Sequence, residues 1–214
     1  AGNSTADTDG YHLMSYLGWA ANRFSVRGGI GQSWYRIDTK RNIAYNGLGQ
    51  AQSKANATST QLFAELAYAL SQGNVVVEPY WGVQRVWLSR DAFDESGSAV
   101  ALSGDQSRQA VTFSHLGLRA RMALSDDAAS STQLTASRGW RRAWGDLPPE
   151  TRLRFATGPG YTVSGVALSR DALVAELGVE FAASENSMVS LGYAGQFGGG
   201  SQDHGLQARL AWRF

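Results

Sequence analysis

The sequence predicts an all-β protein, a transmembrane antiparallel up-and-down β-barrel. Three observations lead there. Apolar residues fall on every second position over nine separate stretches, which is the period of a strand with one oily and one wet face. The connections between these stretches are short and long in turn, as in membrane barrels with tight turns at one end and larger loops at the other. The mean hydropathy is −0.26, and no apolar run approaches the ~18 residues of a helical span, so any crossing is made by strands.

The elements follow in order. Tyr11, Leu13, Leu17 and Trp19 share one parity, interrupted by Ser15, and a break at Ala21-Asn22-Arg23 turns the chain back. Phe24, Val26, Gly28, Ile30 and Trp34 form the returning strand of a hairpin. Asp38–Thr58, rich in Asn, Gln, Ala and Gly, is expected as a long polar loop. Leu62, Ala64, Leu66, Tyr68 and Leu70 then alternate against Glu65, with a short turn over Ser71–Asn74. Val75, Val77, Pro79, Trp81 and Val83 make the next strand, and a second polar loop spans about Ser89–Arg108.

Leu116, Leu118, Ala120 and Met122 alternate against His115, Gly117, Arg119 and Arg121. A turn over Ser125–Ser131 leads to Thr132–Trp144, with Leu134, Ala136 and Trp140 outward. The third long connection, Gly145–Arg170, holds Pro148, Pro149 and Pro159, with strand-like stretches at Leu153–Phe155 and Tyr161–Val163. Asp171–Ala183 alternates Leu173, Ala175, Leu177, Val179 and Phe181 with Glu176, Gly178 and Glu180. After a turn at Ser184–Asn186, Val189, Leu191, Tyr193 and Phe197 form the penultimate strand. Gly205–Phe214 closes the series, with Leu206, Ala208, Leu210, Trp212 and Phe214 on one face.

Mid-strand charges fall opposite the apolar face. Arg27, Glu65, Glu78, Arg119, Arg121, Arg141, Glu176, Glu180, Arg209 and Arg213 obey this rule, and the first nine are expected to line a hydrated lumen. An Arg facing lipid at the bilayer midplane costs about 2–4 kcal/mol, so the sorting has an energetic cause. Arg85 and Arg138 break it. Aromatic residues gather near the short turns (Trp19, Tyr68, Phe181, Trp212, Phe214) and near the long loops (Tyr11, Trp34, Trp87, Trp140, Tyr193), as two interfacial girdles do.

Other chemistry is poorly supported. The net charge is +1, which gives no footprint for nucleic acid. Cysteine is absent, which excludes disulfides and thiolate metal sites. His12, His115 and His204 stand apart without metal-ligand spacing, and no G-x-S-x-G elbow occurs. Gly198-Gly199-Gly200 precedes a strand rather than a helix, so no phosphate cradle forms there. Asp94 with Glu95, and Asp126 with Asp127, read as solvated loop charges. No cofactor and no catalytic residue is expected. Two alternatives stand beside the leading reading given below: a barrel enzyme with its site in the outer loops, and a simple porin or adhesin barrel.

Several segments together resemble the translocator domain of monomeric autotransporters, the type V secretion proteins, nearest the pertactin and serum-resistance group. They are Q-L-F-A-E-L-A-Y (61–68), V-E-P-Y-W-G-V (77–83), H-L-G-L-R (115–119), G-W-R-R-A-W-G-D (139–146), L-G-Y-A-G-Q-F-G (191–198) and the closing L-A-W-R-F (210–214). The resemblance implies a twelve-stranded barrel in the bacterial outer membrane, of which residues 1–214 would hold the last nine strands as one domain incomplete at its amino side. It implies a monomer that meets outer-membrane lipid, the barrel-assembly machinery, and its own upstream passenger and pore helix. It implies a function: anchoring the passenger and exporting it to the cell surface. Leu210, Trp212 and Phe214 would carry the assembly signal, although Arg209 and Ala211 occupy the region where that signal usually has a glycine.

Overall fold

The computed structural model describes residues 4–43, 49–125, 132–184, 186–199 and 201–212. Nine strands form the path of one antiparallel sheet: β1 (Ser4–Ala21), β2 (Phe24–Asn42), β3 (Gln50–Tyr68), β5 (Val75–Arg90), β8 (Ser107–Ala123), β9 (Thr132–Gly145), β12 (Asp171–Ser184), β13 (Ser187–Gly198) and β14 (Ser201–Trp212). A short β4 (Leu70–Gln72) pairs with the start of β5. Each path strand pairs with its sequence neighbours, the simplest up-and-down order. β1 and β14 are the edges and do not pair with each other, and both are exposed on both faces almost throughout.

The expected hairpins form where the turn chemistry allows. The β1–β2 turn places Asn22 at φ 54°, a left-handed conformation that Asn tolerates better than other non-glycine residues. The β4–β5 turn uses Gly73 at φ 58°. Register is continuous from Ser4↔Arg41 to Ala21↔Phe24 and from Phe24↔Tyr68 to Asn42↔Gln50. One slip flips every side chain to the other face, so this unbroken register keeps the apolar positions on a common side.

Asp38–Thr58, expected as a loop, is mostly strand: β2 reaches Asn42 and β3 begins at Gln50. The period of two survives there in a different alphabet. Ala51, Ser53 and Ala57 are buried on one face, while Gln52, Lys54 and Asn56 are exposed on the other. A hairpin standing in water has no lipid to demand large apolar residues outside, so the alternation becomes small against polar. The final strand begins at Ser201, four residues before the expected Gly205.

The two remaining long connections build a second sheet, in the order β11-β10-β7-β6: β6 (Phe93–Asp94), β7 (Leu102–Gly104), β10 (Glu150–Phe155) and β11 (Tyr161–Ser164). The strand-like stretches at 153–155 and 161–163 are therefore strands, paired Leu153↔Tyr161. This sheet joins the outer end of β3 through a Gln52–Ser96 bridge, with amide-to-carbonyl bonds of 2.9 Å in both directions. Its polarity is reversed relative to the main sheet. Glu95, Phe93 and Thr151 meet Arg41 and Arg90, which stand on the charged-face parity of β2 and β5. Arg152 and Arg154 take the opposite side. Outside a membrane, polar residues face outward.

The buried apolar residues are few and small. Val111, Ala143 and Leu147 form one cluster, with Phe113 packed against it. Such a wall is held by its backbone ladders and by side chains that meet across its charged face.

Candidate functional site

The registers place the sequence-derived charged residues on one face. Arg27 is opposite Glu65, Glu78 is opposite Arg119, Glu176 is opposite Ser137, and Glu180 and Arg209 both face Ser190. Arg121 lies across from Val76 and Thr135, and Arg141 across from His115 and Ala172. Opposed residues in an antiparallel pair share a face, so these nine stand together and the large apolar residues stand behind them.

Side chains complete the arrangement. Arg119 on β8 reaches across β5 to Glu65 on β3 at 3.2 Å, and approaches Glu78 at 3.8 Å. Arg121 donates to Glu78 at 2.8 Å, and Arg27 lies 3.7 Å from Glu65. Two carboxylates are thus shared among three guanidiniums in a belt over β2, β3, β5 and β8. Glu78 is only 4% exposed, a burial that an unpaired carboxylate would not tolerate. On the other half, Arg141 of β9 crosses β12 to donate to Gln196 on β13, and its guanidinium also lies 4.9 Å from the Phe113 ring. Bonds that span an intervening strand require the charged face to curve inward.

Tyr80 tightens that curvature. Its phenol lies across β8 and β9, where a Cβ on Gly117 would come within 2.6 Å of the Tyr80 oxygen and one on Gly139 within 2.8 Å. The Arg119 guanidinium covers the ring from 4.7 Å. Only glycine leaves room for this packing. Glu176 accepts from Ser137 and Glu180 from Ser190, both at 3.2 Å, while among the described residues Arg209 has no ion-pair partner.

The opposite face is apolar and exposed, with Leu206 87%, Leu17 81% and Leu177 61% accessible. Such a patch far exceeds what a soluble monomer leaves uncovered. Trp19 and Trp212 lie at its short-turn end, and Tyr11, Trp34 and Trp87 lie nearer the long connections. The exceptions remain on it: Arg85 is beside Trp87, 5.2 Å from its ring, and Arg138 is opposite Leu118 and Ala175.

This geometry agrees with a match to the family model described as the autotransporter β-domain, over residues 1–194. The chain belongs to the autotransporter β-domain family. Two curated relatives, both extracellular serine proteases of Serratia marcescens, are 34% and 32% identical over 213 residues. Those matches cover 99% of the chain and 20% of each relative, so the chain spans about a fifth of their length. Among solved structures, the translocator domain of the autotransporter NalP from Neisseria meningitidis superposes with a TM-score of 0.73 at 23% identity, covering 99% of the chain and 68% of that structure.

This autotransporter β-domain is accordingly an outer-membrane β-barrel translocator, which exports a passenger domain. Its exposed apolar face is the kind of surface that such a barrel presents to lipid. The matched family is that of the barrel rather than of a catalytic domain.

Of the expected assembly residues, Leu210 pairs with Val189 and Trp212 with Ser187 at the short-turn end of β14, while Phe214 lies outside the described residues, as do Arg213, Asp126 and Asp127. Glu95 corrects the sequence reading. It is a half-buried partner of Arg41 and of the Leu102 amide, not a solvated charge. Burial would raise its carboxyl, but the Arg41 and Leu102 hydrogen bonds and the Arg41 charge outweigh burial and hold it below the usual range. Sequence reasoning also missed Tyr80 and Gln196. The alternation put Tyr80 on the charged face, and the glycines at 117 and 139 were the available signal.

Proposed function

We propose that the charged face lines the route taken by an exported passenger carried upstream in the same polypeptide. The shared-carboxylate belt of Arg27, Glu65, Arg119, Glu78 and Arg121 carries this reading. It keeps the wall polar and sets each carboxylate against guanidiniums, so a passing chain meets no deep electrostatic trap. Glu176, Glu180, Arg141 and Arg209 continue the polar lining on β9, β12 and β14, and a pore helix would stand among them.

The two unpaired edges support a further reading of the domain. Open sheet edges are not stable in hydrocarbon, so strands outside residues 1–214 would join β1 to β14 and close a monomeric barrel. Leu210, Trp212 and Phe214 would present the assembly signal to the outer-membrane machinery. The serine-protease names of the relatives favour a secreted protease as cargo, with its catalysis residing in the passenger.

The test uses the full-length protein in a Gram-negative host. With the barrel intact, a protease added to whole cells should release passenger fragments. Deleting β14 should leave the passenger protected in the periplasm. Equal surface exposure in both strains would overturn the proposal.

A further inference from the structure

Arg138 faces lipid without an ion-pair partner among the described residues, and it stands at the end of a groove. The groove lies on the lipid face of β8, β9, β12, β13 and β14 and has a volume of 820 Å³. That is within the roughly 300–1,000 Å³ of ligand sites in general. Small Ala120, Ala136 and Ala208 leave room at its floor, and the larger Leu134, Leu177 and Leu206 line it beside them. Register runs Ala120↔Ala136↔Leu177↔Tyr193↔Leu206 across the five strands.

One step toward the long-connection end, the next lateral row reads Leu118↔Arg138↔Ala175↔Gly195↔His204. It holds a cation and an imidazole, separated by the two smallest side chains available. With strands about 4.8 Å apart, Arg138 and His204 flank a gap of about 14 Å between their backbones, which the Arg138 side chain crosses in part from one side while the His204 and Tyr193 rings fill it from the other. His204 is held in place: its Nδ1 is 2.8 Å from the Tyr193 hydroxyl, and the Phe197 ring meets it edge-on at 5.3 Å. A Cβ at Gly195 would come within 2.8 Å of the Tyr193 oxygen and 2.9 Å of Phe197, so glycine is what lets these rings lie over the strand. Beyond Arg138, Arg142 adds a second guanidinium between Trp140 and Trp144, 5.9 Å from each ring, with Asp171 at 3.8 Å as its acid.

We propose that this face is a binding site for one phosphate-bearing lipid of the outer leaflet. The phosphate lies over Ala175, between Arg138 and the His204–Tyr193 pair whose rings cover Gly195, and the acyl chains descend into the alanine-floored groove. The polarity is right for that leaflet, because β9 rises from its short turn at Thr132 toward its long connection at Gly145, placing the arginines above the groove. The guanidinium fork suits a phosphate ester, and the surrounding tryptophans mark the interfacial depth. Arg138 thus becomes a ligand-binding residue on a face where an unpaired cation is otherwise costly.

The full-length protein, extracted from outer membranes in mild detergent, is titrated with bisphosphorylated lipid A and followed by native mass spectrometry. Dephosphorylated lipid A and inorganic phosphate serve as separate probes. One bound lipid A is expected, with binding at least tenfold weaker for the dephosphorylated form and none for inorganic phosphate. Arg138→Leu and Ala136→Phe should each weaken lipid A at least tenfold, whereas Arg85→Leu, on the same face but away from the groove, should not. Heat-modifiable migration confirms that each variant has folded. Equal binding of both lipid A forms, unchanged binding by folded Arg138→Leu, or binding of inorganic phosphate at the same site would overturn the proposal.

Discussion

Glu78 offers the sharpest test of the belt on the charged face. Its side chain is 6% exposed, and it accepts from Arg121 at 2.8 Å with Arg119 at 3.8 Å. A charge-assisted hydrogen bond is worth about 1.5–3 kcal/mol, and stranding one partner of a fully buried pair costs about 3–5 kcal/mol. The Arg121 side chain is 39% exposed and can turn toward water, so the expected cost of Glu78→Leu lies at about 2–3 kcal/mol after allowing for screening. Glu78→Gln, which keeps an acceptor, should cost about half as much. In a cycle with Arg121→Met, the coupling should be about 1–2 kcal/mol. Urea unfolding of the barrel in lipid vesicles reads all four corners. A coupling below about 0.3 kcal/mol would show that the ion pair does not hold the wall.

Leu177→Arg places a guanidinium in lipid and should cost about 2–4 kcal/mol of insertion. Ser190→Arg, on the charged face beside Glu180 and opposite Arg209, should cost little; folding yields in vesicles compare them, and equal yields would refute the phasing. For the outer sheet, Glu95 has a lowered folded-state pKa, so its contribution is present above the ordinary carboxylate value and fades as pH falls through the folded value. Proteolysis within residues 91–106 should therefore rise on acidification below about pH 4, and Glu95→Gln should be susceptible already at neutral pH; an unchanged pH profile in that variant would contradict the clamp. Removing Phe214, or replacing Trp212 with Ala, should sharply reduce heat-modifiable barrel in the outer membrane, while wild-type levels in both would end their role as an assembly signal.

Legibility followed the solvent. Along β12, lipid on one side and water on the other sort Leu177 from Glu176, so face and register could be read residue by residue. Above the bilayer that sorting stops, and the Ala51, Ser53 and Ala57 face of β3 looked like a polar loop. Glu95 was misread for the same reason: its partner Arg41 is distant in sequence and meets it only once the second sheet docks on β3. The strand-skipping bonds Arg119–Glu65 and Arg141–Gln196 depend on curvature, which no local pattern encodes. Arg138 was visible as an exception to the alternation, but its neighbours His204 and Gly195 come alongside only through three successive registers.

The chain has no cysteine, so single thiols can be placed at will, and one crosslinking experiment bears directly on the export route. With the passenger stalled during secretion, cysteines at Glu176, Gly178 and Glu180 should crosslink to it, while cysteines at Leu177 and Val179 should not. Crosslinks from the odd-numbered positions, or equally from both sets, would contradict the account.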